Sequence, residues 1–172
     1  GVDLNPKILK KFKDLEILNE CKEKIEDYKI QFDLIIICSP LSTYKNIFTS
    51  LNNFITNKTL LTDVGSTKVS VIKDFREKCH NKKINFIPGH PIAGLEKSGP
   101  EYGFAELFEN RFCILTPINQ KDECIGKIEN FWKKIGMKTQ IMEAKYHDKI
   151  LAMTSHIPQL IAYSIVATAT EL

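Results

Sequence analysis

Two features that would assign this chain of 172 residues to a membrane or to the secretory route are missing. Its best apolar run, within residues 33–41, breaks at Pro40 and falls short of the roughly 20 apolar residues that a membrane span needs. The opening GVDLNPKILKKF has no long apolar segment behind a basic start, which is not typical of a signal peptide. The sequence therefore predicts no membrane partner.

Signals for disulfides, nucleic acid and helical zinc are also missing. The five cysteines are irregularly spaced without a C-x-x-C, and Cys38 and Cys113 lie in apolar runs that predict burial, so we expect reduced thiols in a cytoplasmic protein. The surplus of three positive charges is scattered along the chain and not gathered into a patch, so the sequence predicts no binding to nucleic acid. His147, Asp148 and His156 are not spaced at i, i+4, and no metal site is predicted.

Short apolar segments that alternate with segments of helical periodicity make up most of the chain. This alternation predicts an α/β fold with a Rossmann-type parallel sheet. The strands are predicted in FDLIIICSP, KTLLTDVGS, INFIPGHPIAG, RFCILTP and TQIMEA, and the helices in KILKKFKDLEILNE, YKNIFTSLNNFI, KVSVIKDFREKC and DECIGKIENFWKKIG, the last ended by Gly136.

The character of the chain changes at Ala144. The segment AKYHDKILAMTSHIPQLIAYSIVATATEL has no strand signal and is apolar nearly all round, as in a helix buried in a helical domain or a dimer interface. We therefore expect residues 1–144 to form a nucleotide-binding domain without its first strand and phosphate loop. Residues 145–172 then begin an all-helical domain that continues beyond Leu172.

Ligands of an open α/β sheet bind beyond the carboxyl ends of the strands, and three such ends here carry small or polar residues. They lie at Ser39-Pro40, in residues 63–68 and in residues 89–96. His90 stands between Gly89 and Pro91, and an imidazole with an unperturbed pKa near ~6.5 suits the general base of an oxidised hydroxyl. The alternative is a histidine satisfied by backbone hydrogen bonds.

Other polar residues at this edge have two interpretations each. Ser66 could share a hydrogen bond with the base or the substrate, and Glu96 could gate the site. For Lys68 a solvated side chain is favoured over pairing with a phosphate or carboxylate. Asp3 stands where a carboxylate takes the ribose hydroxyl of NAD, with a helix cap as the alternative. For His156, structural satisfaction and lining of the site are equally supported.

Four segments together resemble the signature segments of prephenate and arogenate dehydrogenases, in order and spacing. This family carries out the NAD(P)-dependent oxidative decarboxylation of tyrosine biosynthesis. The likeness runs from Asp3 to the end of the chain, and the long third segment is highly specific. The four are DLIIICSP, LLTDVGSTK, FIPGHPIAGLEKSGPEYGFAELFENRFCILTP and HDKILAMTSHIPQLIAYSIVATA.

The resemblance implies a Rossmann domain followed by a helical domain that forms a homodimer, with the active site between them. It implies hydride transfer from the ring carbon that bears the 4-hydroxyl of prephenate or arogenate, with loss of CO2. NAD is expected more than NADP, because the Asp3 carboxylate would repel a 2′-phosphate. The further cofactor contacts are predicted at Ser39, Pro40, Asp63 and Gly65.

Carried over by motif, His90 is the base, Ser66 its partner, Glu96 a carboxylate at the mouth of the site and His156 a lining residue. Where many members have a second histidine, this chain has Gln159, which leaves the choice between prephenate and arogenate open. Two alternatives remain: another two-domain Rossmann dehydrogenase of β-hydroxyacids, or a non-catalytic dimerisation or regulatory module.

Overall fold

The computed structural model of the protein describes residues 1–52, 54–79, 84–95, 97, 99–119 and 122–170. Strands and helices alternate along it, as the sequence predicts. In chain order they are α1 (Pro6–Asp14), β1 (Leu34–Ile37), α2 (Tyr44–Asn52), β2 (Leu60–Asp63), α3 (Val69–Cys79), β3 (Asn85–Phe86), β4 (Gly89–Pro91), β5 (Phe112–Leu115), α4 (Ile125–Lys134), β6 (Lys138–Ile141), α5 (Ala144–Leu151) and α6 (Ile157–Thr170).

The strands form two adjoining three-stranded sheets. In the first, β1, β2 and β3 are all parallel, and in the second β5 is parallel to β6 but antiparallel to β4. The connection between β3 and β4 bonds to both sheets, because its Ile87 N–H donates to Leu61 O of β2 and its Pro88 carbonyl accepts from Thr116 N–H beside β5, both at 2.9 Å. The Rossmann-type fold with a parallel sheet is confirmed, and among the described strands β4 is the one that pairs antiparallel.

Each sheet has its own apolar core. Under α2 and α3, Phe48, Phe75 and Phe86 meet with ring centroids 4.6 to 5.5 Å apart. Under α4, the buried Trp132 and Ile128 pack with Leu115 of β5. Burial of such large side chains stabilises a fold by about 1.5–3 kcal/mol each. The two cores hold the strand ends, and so the candidate site, in a defined place.

Three local features of the fold test the sequence predictions. Helix α1 ends at Asp14, six residues before the predicted segment does, and Glu16 after it takes a left-handed φ of 53°. Gly136 ends α4 with a φ of 95°, as predicted for a glycine at this position. Both Cys38 and Cys113 were predicted to be buried; Cys113 is buried, but Cys38 is exposed. All five cysteines lie in the described ranges, and no disulfide joins any of them.

The last 27 described residues, Ala144–Thr170, form a nearly continuous helix with two unlike halves. In α5 the side chains of His147 and Leu151 are buried against the domain, whereas every residue of α6 is exposed. By length and composition this helix could cross a membrane, which corrects the statement that no stretch is long and apolar enough. A single such helix is weak evidence, because helices of soluble proteins meet the same criterion.

Candidate active site

A cavity of about 690 Å³ lies between the loops that follow β4 and the C-terminal helix. Four of the predicted site residues line it together: Ser66, His90, His156 and Gln159. They come from three separate parts of the chain and from both sides of the predicted domain boundary. The cavity therefore lies where an active site between the two parts is expected.

A widened turn of the helix shapes one wall of this cavity. Residues Ala152–His156 form a π-helical turn between α5 and α6, a distortion that often occurs at functional sites. On this wall lie Leu151, Ser155, His156 and Gln159, and the Gln159 amide donates to the Tyr163 hydroxyl at 3.0 Å. Of the two interpretations of His156, the structure favours lining of the site.

His90 lies in the middle of β4, where its neighbours restrict the backbone. Gly89 packs so closely that a Cβ there would lie 3.0 Å from the Asp63 backbone oxygen. The Nδ1 atom of His90 is 2.9 Å from Nε2 of His147. The ring is thus held by another side chain and not by the backbone bonds of the alternative interpretation. Burial, followed by the proximity of His147 and Lys68, lowers the pKa of His90 to about 3, so its imidazole is neutral.

Two residues in the middle of α5 extend this contact into a line of three side chains. His147 is fully buried, and its Nδ1 lies 2.7 Å from Oδ1 of Asp148. The Asp148 carboxylate accepts the backbone N–H groups of Lys68 (2.8 Å) and Val69 (2.9 Å), at the N-terminus of α3. We call His90, His147 and Asp148 the His–His–Asp triad.

Beneath the triad lies a buried ion pair. Lys68 Nζ is 2.7 Å from Asp63 Oδ2 and also donates to the Gly89 carbonyl, and both side chains are 0% exposed. The Asp63 carboxylate accepts three more hydrogen bonds, from Gly65 N–H, Gly89 N–H and the Tyr44 hydroxyl. We call these five residues the ion-pair cluster.

The cluster changes two of the sequence interpretations. A solvated Lys68 was favoured, but the structure buries it, since Asp63 supplies a counter-charge at hydrogen-bond distance. Asp63 was assigned to cofactor binding, but it is fully buried and its carboxylate is taken up by internal donors. It therefore has no surface to offer a cofactor, and its geometry is that of a residue that holds the strand ends together.

The remaining predicted cofactor residues lie at the carboxyl ends of β1 and β2. Ser39 and Pro40 are exposed directly after β1 and are open to a ligand there. Gly65 is buried, and a Cβ on it would fall 2.6 Å from Leu41 Cδ2 and 2.8 Å from Asp63 Oδ2. Only glycine fits this loop without a shift, which keeps the chain close to the sheet edge.

Asp3 is half-buried, and its Oδ1 accepts the backbone N–H of Asn5 at 2.7 Å. The cap of α1 is Asn5 itself, which accepts from Lys7 N–H, so the helix-cap alternative does not describe Asp3. Glu96 lies outside the described residues. The structure therefore adds nothing to the prediction of a carboxylate at the mouth of the site.

The sequence predictions missed several residues of the site. His147 and Asp148 lie on an apolar helix, and the sequence marks them only as polar residues that need hydrogen-bonding partners. This was the one signal in the sequence that could have pointed to their place in the site. The cavity is also lined by three charged residues that were not singled out: Glu106, Glu109 and Arg111. Nothing in their spacing distinguishes them from ordinary surface charges.

Known proteins resemble the chain over most of its length. The family model of the prephenate dehydrogenase nucleotide-binding domain matches residues 1–141. Cyclohexadienyl dehydrogenase of Zymomonas mobilis is 35% identical over 153 residues, which cover 88% of this chain and 52% of that protein. Prephenate dehydrogenase of Lactococcus lactis is 30% identical over 176 residues, covering 92% and 48%. The chain thus spans about half the length of these curated relatives.

Solved structures give the same result. A crystal structure of prephenate dehydrogenase from Aquifex aeolicus, in complex with hydroxyphenyl propionate and NAD+, superposes with a TM-score of 0.91 at 30% identity, over all of this chain and 60% of that one. Arogenate dehydrogenase of Synechocystis has a TM-score of 0.82 at 22% identity, over 98% of this chain and 59% of that one, which shows the fold alone. The chain belongs to the prephenate dehydrogenase family, and its residues 1–141 match the family's nucleotide-binding domain.

Proposed function

We propose that the full-length protein oxidises and decarboxylates prephenate or arogenate, with NAD as the hydride acceptor. The observation that carries the proposal is His90, a neutral imidazole that lines the 690 Å³ cavity together with Ser66 and His156. Relatives named prephenate and cyclohexadienyl dehydrogenase support the substrate class. The alternatives, a β-hydroxyacid dehydrogenase and a non-catalytic module, have no comparable support.

The reaction needs a proton acceptor beside the substrate hydroxyl. NAD, when bound, supplies the acceptor for the hydride that leaves the ring carbon bearing this hydroxyl. His90 takes the hydroxyl proton, which leaves a ring ketone opposite the carboxylate-bearing carbon. The bond to the carboxylate then breaks, CO2 departs, and its electron pair completes the aromatic ring. His90 returns its proton to the phenolate oxygen, so that it ends the cycle neutral.

Ser66 is proposed as the hydrogen-bonding partner of the hydroxyl or of His90, since it lines the same cavity. Gln159 also lines it, in place of the histidine found in many members, and we propose that this position contributes to the choice between prephenate and arogenate. Glu96 stays a prediction for the mouth of the site.

For the cofactor, Ser39, Pro40 and Gly65 are proposed to bind NAD at the carboxyl ends of β1 and β2. The exposure of Ser39 and Pro40 and the close packing of Gly65 support this placement. Asp3 is proposed to favour NAD over NADP, because one of its oxygens is already oriented by Asn5 and a carboxylate repels a 2′-phosphate.

We further propose that residues 1–144 form the nucleotide-binding domain and residues 145–172 begin a helical domain that forms a homodimer. The exposed apolar side chains of α6, such as Leu160, Ile161 and Ile165, support this division, since a surface of this kind is normally covered by protein. We propose that the protein is soluble and cytoplasmic. In this arrangement α5 packs against the nucleotide-binding domain through His147.

The test is NADH formation by the full-length protein, with prephenate and arogenate offered separately. His90→Asn should lower kcat by roughly 100-fold or more, as loss of a general base predicts. His156→Asn is the matched control, because it removes an imidazole from the same cavity without a bond to the triad, and it should act mainly on KM. NAD affinity should be the same in all three proteins. If neither substrate yields NADH while NAD still binds, the proposed function is wrong.

A further inference from the structure

Beyond the base itself, the structure contains two side chains that control it. His147 and Asp148 stand 57 and 58 positions after His90 in the chain, yet His147 contacts the His90 ring at 2.9 Å and is itself fully buried. A buried imidazole whose two nitrogens both have polar partners is a defined hydrogen-bonding element and not a space filler.

The Asp148 end of the triad is anchored. Burial alone would raise the pKa of Asp148, but the backbone N–H groups of Val69 and Lys68, together with His147, outweigh it and lower that pKa. These two N–H groups belong to the N-terminus of α3, where helical N–H groups lack internal partners and attract negative charge. Asp148 is therefore an ionised carboxylate, which only accepts hydrogen bonds.

An accepting carboxylate determines where every proton of the triad lies. Because Asp148 Oδ1 can only accept, the Nδ1 atom of His147 carries a hydrogen and donates it. Burial lowers the pKa of His147, so the ring is neutral and its Nε2 is an acceptor. The 2.9 Å contact then requires that His90 donates from Nδ1. A neutral His90 with its hydrogen on Nδ1 has a free lone pair on Nε2.

We propose that Asp148, acting through His147, holds His90 in the tautomer whose Nε2 can accept the substrate proton. The proposal rests on the proposed function in naming that proton as the one on the substrate hydroxyl. His147 and Asp148 are positioning residues, since neither is placed against the substrate. As His90 gains a proton, its Nδ1–H bond to His147 strengthens, and the Asp148 charge compensates the new imidazolium without itself taking up a proton.

This assignment also explains how His90 can act in surroundings that resist its protonation. Buried among His147, His156 and the positive Lys68, the ring gains a proton only at a cost. These three neighbours lower the pKa of His90, whereas the Asp148 charge raises it and so favours the protonated ring. Burial disfavours protonation of the His90 ring, and only the Asp148 charge, acting through His147, supports it. The protonated ring therefore returns its proton readily to the phenolate.

The first test measures the tautomer directly, by nitrogen NMR of the full-length protein with isotope-labelled histidine, with the signals assigned through His90→Asn. The hydrogen of His90 is expected on Nδ1 in the native protein. In Asp148→Ala the Nδ1–H of His147 loses its hydrogen-bond acceptor, so the hydrogen of His90 is expected to be no longer confined to Nδ1 and to appear on Nε2 as well. A native His90 with its hydrogen on Nε2 would overturn the proposal, and apart from the assignment through His90→Asn this result comes from the native protein alone.

The second test is kinetic. Asp148→Asn should lower kcat by about 100- to 1000-fold, by analogy with loss of a base-orienting carboxylate, with little change in KM or NAD affinity. Glu143→Gln is the matched control, since the Glu143 carboxylate also caps a helix N-terminus, that of α5, where it accepts the N–H of Tyr146. Equal losses in both variants would show a role in folding alone. A tautomer switch without turnover of either substrate would support the triad and overturn the proposed function.

Discussion

Two polar networks lie side by side at the carboxyl edge of the sheet, and they differ in whether they are closed. In the ion-pair cluster, the side chains of Asp63 and Lys68 are 0% exposed, and the hydrogen bonds of these side chains run to groups of the protein interior. The middle residue of the His–His–Asp triad, His147, is equally buried, but the triad ends at His90, which lines the cavity. The first network is therefore closed within the protein interior, and the second has one end at the cavity, as the proposed role of His90 requires.

The two networks share a residue, which shows how the structural one serves the other. The side chain of Lys68 belongs to the cluster, whereas its backbone N–H holds Asp148 of the triad. After burial and His147, the Lys68 charge is the next cause that lowers the pKa of His90. The cluster thus places the triad through the Lys68 backbone N–H, while burial does most to lower the pKa of His90 and the Lys68 charge adds to it. It follows that damage to the cluster should appear in stability and damage to the triad in turnover.

The largest expected effect on stability comes from opening the closed network. Lys68→Met leaves the Asp63 carboxylate buried without its counter-charge, which should lower the free energy of unfolding by about 3–5 kcal/mol. Urea unfolding followed by circular dichroism measures it. Lys45→Met is the matched control, because the Lys45 ion pairs with Asp74 and Glu77 lie on a half-exposed side chain and should contribute less than about 1 kcal/mol.

The double variant Asp63→Asn/Lys68→Met sharpens this result. It removes both charges, so its loss should be smaller than the sum of the two single losses. Strict additivity, or a loss for Lys68→Met no larger than that for Lys45→Met, would show that the cluster does not act as a closed unit.

The second effect is the response of the open network to acid. The unfolded chain protonates His90 near pH ~6.5, whereas in the folded protein the pKa of His90 is about 3. Between these values the unfolded state binds more protons, so this contribution to stability is complete above the unfolded pKa and is lost as the pH falls towards the folded one. From about pH 7 to pH 4 the loss should be on the order of 3 kcal/mol, since each pH unit between the two pKa values contributes about 1.4 kcal/mol.

His90→Asn separates this contribution from the carboxylates, which titrate in both proteins. Thermal or urea unfolding across the same pH range should give a flatter profile for the variant than for the native protein. Parallel profiles would mean that His90 is not held neutral by the fold.

The fold could largely be predicted from the sequence, because its signals are local. The run Leu34–Ile37 is apolar and β-branched over most of its length, and it forms β1 as a strand buried in a parallel sheet does. What failed depended on distant partners. The direction of β4 is determined by its pairing with β5 across residues 92–111, and no local pattern encodes a pairing direction.

The site was predictable where chemistry and strand ends coincide, as for His90 and Ser66, which share the cavity. Lys68 was misjudged because its burial requires Asp63 to be buried as well, and a spacing of five residues says nothing about that. His147 and Asp148 were found only as polar residues in need of partners, since their contacts reach back 57 positions to His90 and about 80 to the start of α3.

The smallest effect tests how far the two networks are separate. Tyr44→Phe removes one of the four hydrogen bonds to Asp63 and leaves the ring packed, so stability should fall by about 1 kcal/mol. Tyr146→Phe, at an exposed position, is the matched control and should change stability by less than about 0.5 kcal/mol. Because Lys68 still neutralises Asp63, kcat should stay within about twofold of the native value. A fall in kcat comparable to that of His90→Asn would mean that the cluster tunes the base and does not merely hold it in place.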